Sequence, residues 1–318
     1  MNITGKRILL TGGNGFLGRR VQAKLADAGC TRFIAPSRSG CDLTSQAEVA
    51  VMFAEFRPEV VIHLAANVGG IGKNRRMPGR IWLDNMAMAA NVLEMSVAAN
   101  AQKIVYVGTV CSYPKTVDRM PFVERHLFDG FPEETNAPYG IAKRAIGVGL
   151  QAIHQQYGIH AAYLIPTNLY GPADNFDIND SHVIPAMIRR FIEAAENGED
   201  RVTLWGTGRC SREFLYADDA AAAIVKAAEV VETPDPINLG GCGEIKIEVL
   251  SRKVARHCGY GGVIDFDETR PNGQPRRAVD GRRAESELGW KPTTNFDDGL
   301  AATVEWFRNQ RSMEARHG

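Results

Sequence analysis

A tyrosine and a lysine four residues apart, Tyr139 and Lys143, are the pair in this sequence best suited to proton transfer. Both lie at the start of a predicted helix, where residues i and i+4 share one face. A nearby ammonium favours the phenolate, so this spacing predicts a Tyr139 pKa below the usual value of about 10. Such a tyrosine can exchange a proton with an alcohol or ketone oxygen while a nicotinamide carries the hydride. The structural alternative is an aromatic residue beside a solvated lysine.

A hydroxyl-rich segment, Val-Gly-Thr-Val-Cys-Ser-Tyr-Pro at residues 107–114, directly follows the fourth predicted strand. Loops at the carboxyl ends of parallel strands are where ligands bind in open α/β sheets. The segment therefore places Thr109 and Cys111 at a predicted ligand site, together with the tyrosine–lysine pair. Taken alone, Cys111 is better explained as a small buried hydrophobic residue.

Three glycines, Gly12, Gly15 and Gly18, follow the first predicted strand and open a helix. Gly12 would allow a tight turn, Gly15 would let backbone approach a pyrophosphate, and Gly18 would permit close helix–strand packing. The helix amino terminus then offers unpaired N–H groups and a favourable dipole to phosphates. Because glycine-rich turns also serve as simple connections, the strand–glycine–helix order is what predicts dinucleotide binding.

The end of the second predicted strand indicates which dinucleotide binds. An NAD-selective site usually has an acidic residue about 20 residues after the glycines, on the ribose 2′-hydroxyl. This chain has Pro-Ser-Arg-Ser there, and Arg38 could accept a 2′-phosphate. Asp42 and Leu43 follow, where a side chain could reach the adenine ring. The sequence thus favours NADP(H), with a solvated loop cation as the alternative for Arg38.

Short apolar runs alternate with amphipathic segments through the first half of the chain, which predicts a doubly wound parallel α/β sheet of Rossmann type. The predicted strands are residues 7–10, 32–36, 60–65, 103–107 and 161–166. The predicted helices between them are residues 16–28, 45–56, 81–98 and 142–156. Further elements are predicted at residues 183–195, 202–205, 217–230, 246–257 and 296–310.

This regularity fades after residue 166, which predicts a second, smaller α/β domain for the substrate. We expect residues 1–170 to form the cofactor domain, rejoined by residues 213–240. Residues 171–212 and 241–318 then form a discontinuous substrate domain. A length of 318 residues fits this, because domains average on the order of 100–200 residues.

Composition excludes several classes of protein. Lys+Arg and Asp+Glu both total 37, so a general nucleic-acid or anionic-membrane binder, which would be basic, is not expected. No window approaches the roughly 18 apolar residues of a membrane span, and no signal sequence is evident. The six cysteines form no CxxC pair and the histidines no HExxH motif, so a reduced, cytoplasmic protein without metal is expected.

Together these motifs resemble the extended short-chain dehydrogenase/reductase superfamily, which acts on nucleotide sugars with a Ser/Thr-Tyr-Lys triad. The resemblance rests on residues 11–18, residues 63–66 (His-Leu-Ala-Ala), Thr109, and Tyr139 with Lys143. Within it, the chain resembles the GDP-L-fucose synthase family of NADPH-dependent 3,5-epimerases/4-reductases. That narrower match rests on residues 67–71, 108–114, 166–172, 174–176, 181–186, 205–208, 212–215, 271–277 and 288–290.

The resemblance implies a role for individual residues. Thr109, Tyr139 and Lys143 would form the triad, and Cys111 and His182 would be the base and the acid of epimerisation. A 4-keto group acidifies the protons at C3 and C5, so a thiolate and an imidazole on opposite faces of the sugar can remove and return them. Hydride delivery to C4 then completes the product, with Tyr139 protonating the new alkoxide.

The resemblance also implies two sets of binding residues. Those implied to bind NADP(H) are Gly12, Gly15, Phe16, Leu17, Gly18, Arg38, Asp42, Leu43, Ala65, Ala66, Tyr139, Lys143, Pro166, Asn168 and Leu169. Those implied to bind the GDP-sugar are Asn168, His182, Val183, Arg190, Trp205, Arg212 and Arg277. For each arginine, a surface ion pair is the alternative.

Three departures from the family pattern affect the expected sugar more than the reaction class. Thr109 replaces the usual serine and keeps the hydroxyl. Ser112 stands where the family tends to have an apolar residue. The segment 72–76, Gly-Lys-Asn-Arg-Arg, is unusually basic and could lie as a loop over the cofactor phosphates or the sugar.

Other functions stay open on the sequence alone. One is an epimerase that releases a ketone, another is a 4-reductase without epimerisation, and a third is a non-catalytic NADP-binding sensor. The helices at 81–98 and 142–156 carry apolar residues on more than one face. The family forms homodimers through such a helix pair, so the resemblance implies a dimer.

Overall fold

The protein is described by a computed structural model over residues 1–177, 180–270 and 272–317. Pro271, the first residue of the 271–277 motif, lies outside the described residues. The strands are β1 (Ile8–Thr11), β2 (Phe33–Ile34), β3 (Val60–His63), β4 (Lys103–Val107), β5 (His160–Pro166), β6 (Asn168–Tyr170), β7 (Arg201–Trp205), β8 (Ser211–Tyr216), β9 (Pro236–Leu239), β10 (Glu244–Lys246), β11 (Val263–Asp267) and β12 (Arg276–Arg277).

The helices surround these strands. They are α1 (Phe16–Asp27), α2 (Gln46–Phe56), α3 (Ile71–Arg76), α4 (Pro78–Ala98), α5 (Ala137–Tyr157), α6 (Val183–Asn197), α7 (Ala217–Val230), α8 (Ile247–His257), α9 (Arg282–Leu288) and α10 (Phe296–His317), with 3-10 turns at Val110–Ser112 and Glu124–Phe128.

Six parallel strands form the central sheet in the order β2-β1-β3-β4-β5-β9. Every residue of β1, β3 and β4 is buried, as expected for strands covered by helices on both faces. The order reverses between β1 and β3, and such a switch point opens a crevice at the carboxyl ends of the strands. This crevice receives the glycine turn that follows β1.

Two apolar layers cover the sheet. Helices α1 and α7 bury Val21, Leu25, Ile224 and other residues on one face. The opposite layer is built from α2, α4 and α5, with Val92 and Leu150 fully buried in it. The chain therefore returns to the first sheet late in the sequence, because α7 packs on it and β9 pairs with β5.

The remaining elements form a separate apolar cluster. Helices α6, α8 and α10 pack around Ile188, Phe191 and Leu250, which are fully buried. Beside them, β8 pairs with β6, β10 and β12, and β7 pairs with β11. The strand β8 lies next to both clusters, since it contributes Leu215 to the first and Phe214 to the third.

The fold class predicted from the sequence is confirmed, and the differences are local. Helices α4 and α5 begin earlier than the apolar pattern predicted, at Pro78 and Ala137, because a proline suits the first helical turn. The basic segment 72–76 lies in helix α3 and not in a loop. Strands β6, β10 and β12 were not predicted, because each has only two or three residues and is defined by pairing with β8. Strands β8, β9 and β11 and the short helices α3 and α9 were not predicted either.

Among the described residues, no helix has both the length and the apolar character needed to cross a bilayer.

Gly18 lies so close to the glycine turn after β1 that a larger residue there should destabilise the protein. A Cβ at Gly18 would lie 2.1 Å from Gly12 O and 2.5 Å from Gly13 Cα, both backbone atoms. We expect Gly18→Ala to lower the free energy of unfolding by about 1–3 kcal/mol or more. Gly149→Ala is the matched control, because its Cβ would only meet Leu93 Cδ1 at 4.0 Å. Urea titration should show the control unchanged or slightly stabilised; equal losses in both variants would contradict the contact.

Candidate active site

The glycine turn after β1 is shaped by close backbone approach. Gly12 has φ +71°, and a Cβ there would lie 2.7 Å from Ala65 N. Gly15 is the N-cap residue of α1, and the first turn of this helix contains no acidic residue and no side-chain cap. The helix therefore presents unpaired N–H groups and its positive end to the crevice, which fits a pyrophosphate.

The other residues predicted to bind the cofactor lie at the same edge of the sheet. Partly buried Phe16 and Leu17 begin α1. Ala65 and Ala66 lie just beyond the end of β3, Pro166 is the last residue of β5, and Asn168 and Leu169 begin β6 directly after it. The Asn168 amide is already fixed, since its Nδ2 donates to Glu213 O at 2.8 Å.

The segment after β2 places a cation and an anion near each other. Arg38 is exposed in a turn, whereas Leu43 is buried. Asp42 accepts hydrogen bonds from the N–H and hydroxyl of Thr44, which lower the pKa of this carboxyl, with smaller contributions from the charges of Arg38 and Arg80. The effect of Arg80 on Asp42 could not be predicted from the sequence, because only the fold of the protein brings the two residues near each other.

The loop after β4 is a single 3-10 turn capped by Thr109, whose hydroxyl accepts from Cys111 N at 3.2 Å. Ser112 is fully buried and its hydroxyl donates to Gly140 O at 2.9 Å. This contact explains why a polar residue stands there: it ties the loop to the first turn of α5. The approach is close, because a Cβ on Gly140 would lie 2.3 Å from Cys111 O.

Tyr139 and Lys143 share one buried face of α5. The Lys143 ammonium donates to Val107 O at 2.8 Å and lies 5.9 Å from the centre of the Tyr139 ring. It lies closer, at 4.6 Å, to the centre of the Tyr106 ring. Tyr106 was missed from the sequence, where it is one more apolar residue of a buried strand.

The expected lowering of the Tyr139 pKa is wrong for this structure. Burial raises the pKa of Tyr139, and the nearby Cys111 and Tyr163 raise it further. Burial also lowers the pKa of Lys143 from 10.5 to about 7. Because desolvation disfavours both charged forms, it outweighs the attraction between ammonium and phenolate, and Tyr139 keeps its proton.

Two arginines converge beside Cys111. Arg212 in β8 and Arg277 in β12 are direct register partners, so their side chains leave the same face. Arg277 Nη1 donates to Cys111 Sγ at 3.4 Å, and Arg212 donates to the carbonyls of Ser211 and Asn272. Burial and, to a smaller extent, the charge of Arg277 together lower the pKa of Arg212 to about 10.

His182 is the N-cap residue of α6, directly before Val183, and its side chain is exposed and makes no capping hydrogen bond. Enough protein surrounds this ring for desolvation to lower its pKa, and the positive charge of Arg277 adds to the effect. Arg277 thus acts on three groups: it donates to the Cys111 thiol and perturbs both His182 and Arg212.

Two predicted substrate residues lie outside this cluster. Arg190 donates from Nη1 to Thr203 O, and Trp205 is 50% exposed with the Arg270 guanidinium 5.4 Å from its ring centre. In the part of the chain that the structure describes, no hydrogen bond joins either side chain to Cys111, Arg212 or Arg277. They lie on the neighbouring α6 and β7.

A buried carboxylate and a buried amide were also missed in the sequence. Glu213 accepts the N–H groups of Gly241, Cys242 and Val279 at 2.5, 2.6 and 2.8 Å. Gln274 bonds both Arg277 and the loop after Cys111. The two charged residues of β8 are consecutive and do not alternate with apolar ones, so no local pattern indicates an inward-facing Glu213, and none marks Gln274.

In residues 1–177, 180–270 and 272–317, no group of three or more His, Cys, Asp or Glu is placed to hold a metal ion. The cluster around Cys111 can move protons. It combines a protonated phenol, a thiol beside a guanidinium and an imidazole, at an edge of the sheet that also fits a dinucleotide. The paired arginines suit an anion such as a diphosphate.

Known proteins share this fold and sequence. Residues 8–240 match the NAD dependent epimerase/dehydratase family. The GDP-L-fucose synthase of Sinorhizobium fredii (strain NBRC 101917 / NGR234) is 40% identical over 306 residues, which cover 96% of each chain. A GDP-6-OMe-4-keto-L-xylo-heptose reductase from C. jejuni superposes with a TM-score of 0.90 at 26% identity, covering 96% of this chain and 99% of that one.

A GDP-L-fucose synthetase from Naegleria fowleri, solved with NADP bound, superposes with a TM-score of 0.87 at 26% identity over 96% of this chain and 94% of that one. The similarity in sequence and the similarity in structure thus both extend over nearly the whole chain. The protein belongs to the NAD dependent epimerase/dehydratase family, in the group that contains the GDP-L-fucose synthases.

Proposed function

We propose that the protein catalyses the NADPH-dependent 3,5-epimerisation and 4-reduction of a GDP-4-keto-6-deoxyhexose, which gives GDP-L-fucose or a close analogue. The observation that carries this proposal is the contact of Arg277 with Cys111 beside Tyr139. A simple dehydrogenase needs the tyrosine and lysine but has no use for a thiol held by a cation. A non-catalytic NADP-binding sensor needs neither the tyrosine–lysine pair nor the thiol.

The residues of the crevice fit NADP(H). Gly12, Gly15 and Gly18 and the amino terminus of α1 would hold the pyrophosphate, and Arg38 the 2′-phosphate. When bound, NADPH supplies the hydride for C4 of the sugar. Lys143 and Tyr139 lie at the end of β4, where they would meet the nicotinamide ribose and the reacting oxygen.

In the reduction, Tyr139 acts as the acid. Burial keeps its proton in place until a negative oxygen forms at C4, and the phenol then gives that proton to the oxygen. Thr109 would bond the same oxygen through its hydroxyl. Lys143, fixed on Val107 O, would favour the phenolate that is left behind.

In the epimerisation, Cys111 and His182 act on the carbons next to the ketone. The positive charge of Arg277 favours the Cys111 thiolate, which can take a proton from C3 or C5. His182 would return a proton to the other face of the sugar from its imidazolium form and become neutral; the lowered pKa makes that form the stronger acid. Tyr139 or Thr109 would hold the enolate oxygen between the two transfers.

The diphosphate of the substrate would bind Arg212 and Arg277. Among the described residues, the groups that accept hydrogen bonds from the two guanidinium groups are carbonyls, an amide oxygen and the sulfur of Cys111, with no carboxylate among them. Each guanidinium thus keeps a full positive charge to meet phosphate oxygens. Arg190, Trp205, Asn168 and Val183 would lie further along the same groove, against the nucleoside or the sugar.

A second candidate is a 4-reductase that does not epimerise. It is favoured by the TM-score of 0.90 against a GDP-6-OMe-4-keto-L-xylo-heptose reductase. Consumption of NADPH without entry of solvent deuterium at C3 and C5 would establish this function. Deuterium entry without NADPH consumption would instead indicate an epimerase that releases a ketone.

A pair of variants tests the proposed function by separating its two steps. With GDP-4-keto-6-deoxymannose in D2O, the wild type should consume NADPH at 340 nm and carry deuterium into C3 and C5. We expect Tyr139→Phe to lower NADPH consumption by about 100-fold or more while deuterium still enters. Cys111→Ala should abolish deuterium entry at the carbon, C3 or C5, from which the thiolate removes a proton. Tyr260→Phe, in the separate apolar cluster of α6, α8 and α10, is the control.

Opposite results would contradict these roles. If Tyr139→Phe turns over NADPH at the wild-type rate, the chain is better described as an NADP-binding sensor. If Cys111→Ala epimerises at full rate, the thiol is not the base.

The low pKa of Lys143 predicts a pH dependence. Its ammonium is lost as the pH rises through about 7, so kcat/KM for NADPH, which reports the free protein, should fall there. We expect Lys143→Arg to move this alkaline fall upward by more than one pH unit, because a guanidinium stays charged. An unchanged fall would show that another group titrates.

The same ionisation affects stability. Between pH 7 and 10.5 the unfolded chain holds the Lys143 proton and the folded chain does not, so the free energy of unfolding should rise with pH in this range.

The proposal includes a cytoplasmic location. It also includes two domains: a cofactor domain of residues 1–170 with 213–240, and a substrate domain of residues 171–212 with 241–318.

We also propose a homodimer that forms through α4 and α5. Exposed apolar side chains on the two helices support the dimer: Trp82, Leu83, Val148 and Tyr157. We expect a dimeric mass by light scattering at micromolar concentration, and a monomeric mass for Leu83→Glu. A monomeric wild type would contradict the interface.

A further inference from the structure

The side chain of Gln274 joins the two segments that meet at Cys111. It is only 4% exposed. Its Nε2 donates to Pro114 O at 3.2 Å and to Lys115 O at 2.8 Å, in the loop that follows Cys111. Its Oε1 accepts from Arg277 Nε at 3.2 Å. One buried amide therefore touches both the loop of the thiol and the cation that contacts the thiol.

We propose that Gln274 is a positioning residue, which holds the Arg277 guanidinium against Cys111 Sγ. The proposal rests on the role of Cys111 in the proposed function. Arg277 Nη1 lies 3.4 Å from Cys111 Sγ, and the same guanidinium is anchored through its Nε by Gln274. With Nε fixed, the plane of the guanidinium is fixed, and so is the direction of Nη1.

The chemistry of an amide suits this position better than that of other side chains. Two carbonyl oxygens require the NH2 group, so the amide oxygen must face Arg277. A carboxylate would place negative charge against both carbonyls and would pair with Arg277 in competition with Cys111. An apolar side chain would leave the two carbonyls without this donor and the guanidinium free to turn.

The position of the Arg277 guanidinium matters because its positive charge stabilises a Cys111 thiolate. A hydrogen bond from a charged group is roughly twice as strong as a neutral one, but only at short distance and correct direction. If Arg277 turns toward the neighbouring diphosphate site near Arg212, Cys111 loses this support. Gln274 therefore decides how the charge of Arg277 is shared between the base and the substrate anion.

Alkylation of Cys111 by iodoacetamide as a function of pH tests this directly. The modified peptide is quantified by mass spectrometry, with Cys210 as the reference thiol. For Gln274→Met we expect the midpoint of the Cys111 rate profile to move up by about one pH unit, which means roughly tenfold slower reaction below it. Deuterium entry into the sugar without NADPH should fall by a similar factor. Binding of NADPH should not change.

Two further variants make the result decisive. Gln274→Glu has nearly the same size and should shift the midpoint in the same direction, so it replaces the methionine variant if that one fails to fold. Tyr113→Phe is the matched control: it removes a buried hydrogen bond of 2.7 Å from the same loop to Asn238, without touching Arg277. Its midpoint should stay at the wild-type value.

The outcomes separate this inference from the proposed function. An unchanged midpoint in both folded Gln274 variants, or an equal shift in Tyr113→Phe, would overturn the positioning role. A wild-type protein that neither exchanges deuterium nor consumes NADPH would overturn the proposed function. In that case the alkylation profile still decides whether Gln274 controls the contact between Arg277 and Cys111.

Discussion

The buried carboxylate of Glu213 is the interaction on which the geometry of the site depends. It accepts three backbone N–H groups, from the turn after β9 and from the segment after β12, while its own carbonyl accepts from Thr167 and Asn168. Burial raises the pKa of this carboxyl, and the three N–H donors oppose that effect. The result is one residue of β8 that links three chain segments far apart in sequence.

This link explains why residues so distant in sequence form one site. Glu213 fixes Val279, so it also fixes the short strand that carries Arg277 and the segment that carries Gln274. From the other side, the amide of Gln274 reaches the loop after β4, and Ser112 ties that loop to α5. The thiol, the phenol and the guanidinium are thus placed by a chain of short polar contacts.

The sequence predicts the part of this arrangement that local patterns encode. Buried strands such as β4 read as apolar runs, here residues 104–107 after the buried Lys103, and Gly12 and Gly18 occupy positions where a Cβ would meet backbone atoms. Tyr139 and Lys143 share a helix, so their spacing alone predicts that they share a face. These features are set within a few residues, which is the range that a sequence pattern can report.

The remaining features depend on pairing across long separations. β12 has two residues and exists only because it pairs with β8, so neither the strand nor the approach of Arg277 to Cys111 is visible in the sequence. The sign of the Tyr139 pKa was wrong for a related reason. Spacing reveals a nearby lysine, but it does not reveal that both groups are fully enclosed, and desolvation then dominates.

The two proposed proton-transfer groups lie in different surroundings, which would suit a two-step reaction. Burial raises the pKa of the Tyr139 phenol, so it can give a proton only when a strongly basic oxygen forms next to it. The Cys111 thiol instead has a guanidinium nitrogen, Arg277 Nη1, 3.4 Å from its sulfur. In a chain with 37 positive and 37 negative side chains, function therefore depends on where single charges are confined. Arg212 and Arg277 lie side by side, with no carboxylate among their hydrogen-bond partners in the described residues, so they concentrate positive charge where a thiolate and a diphosphate would each lower its cost.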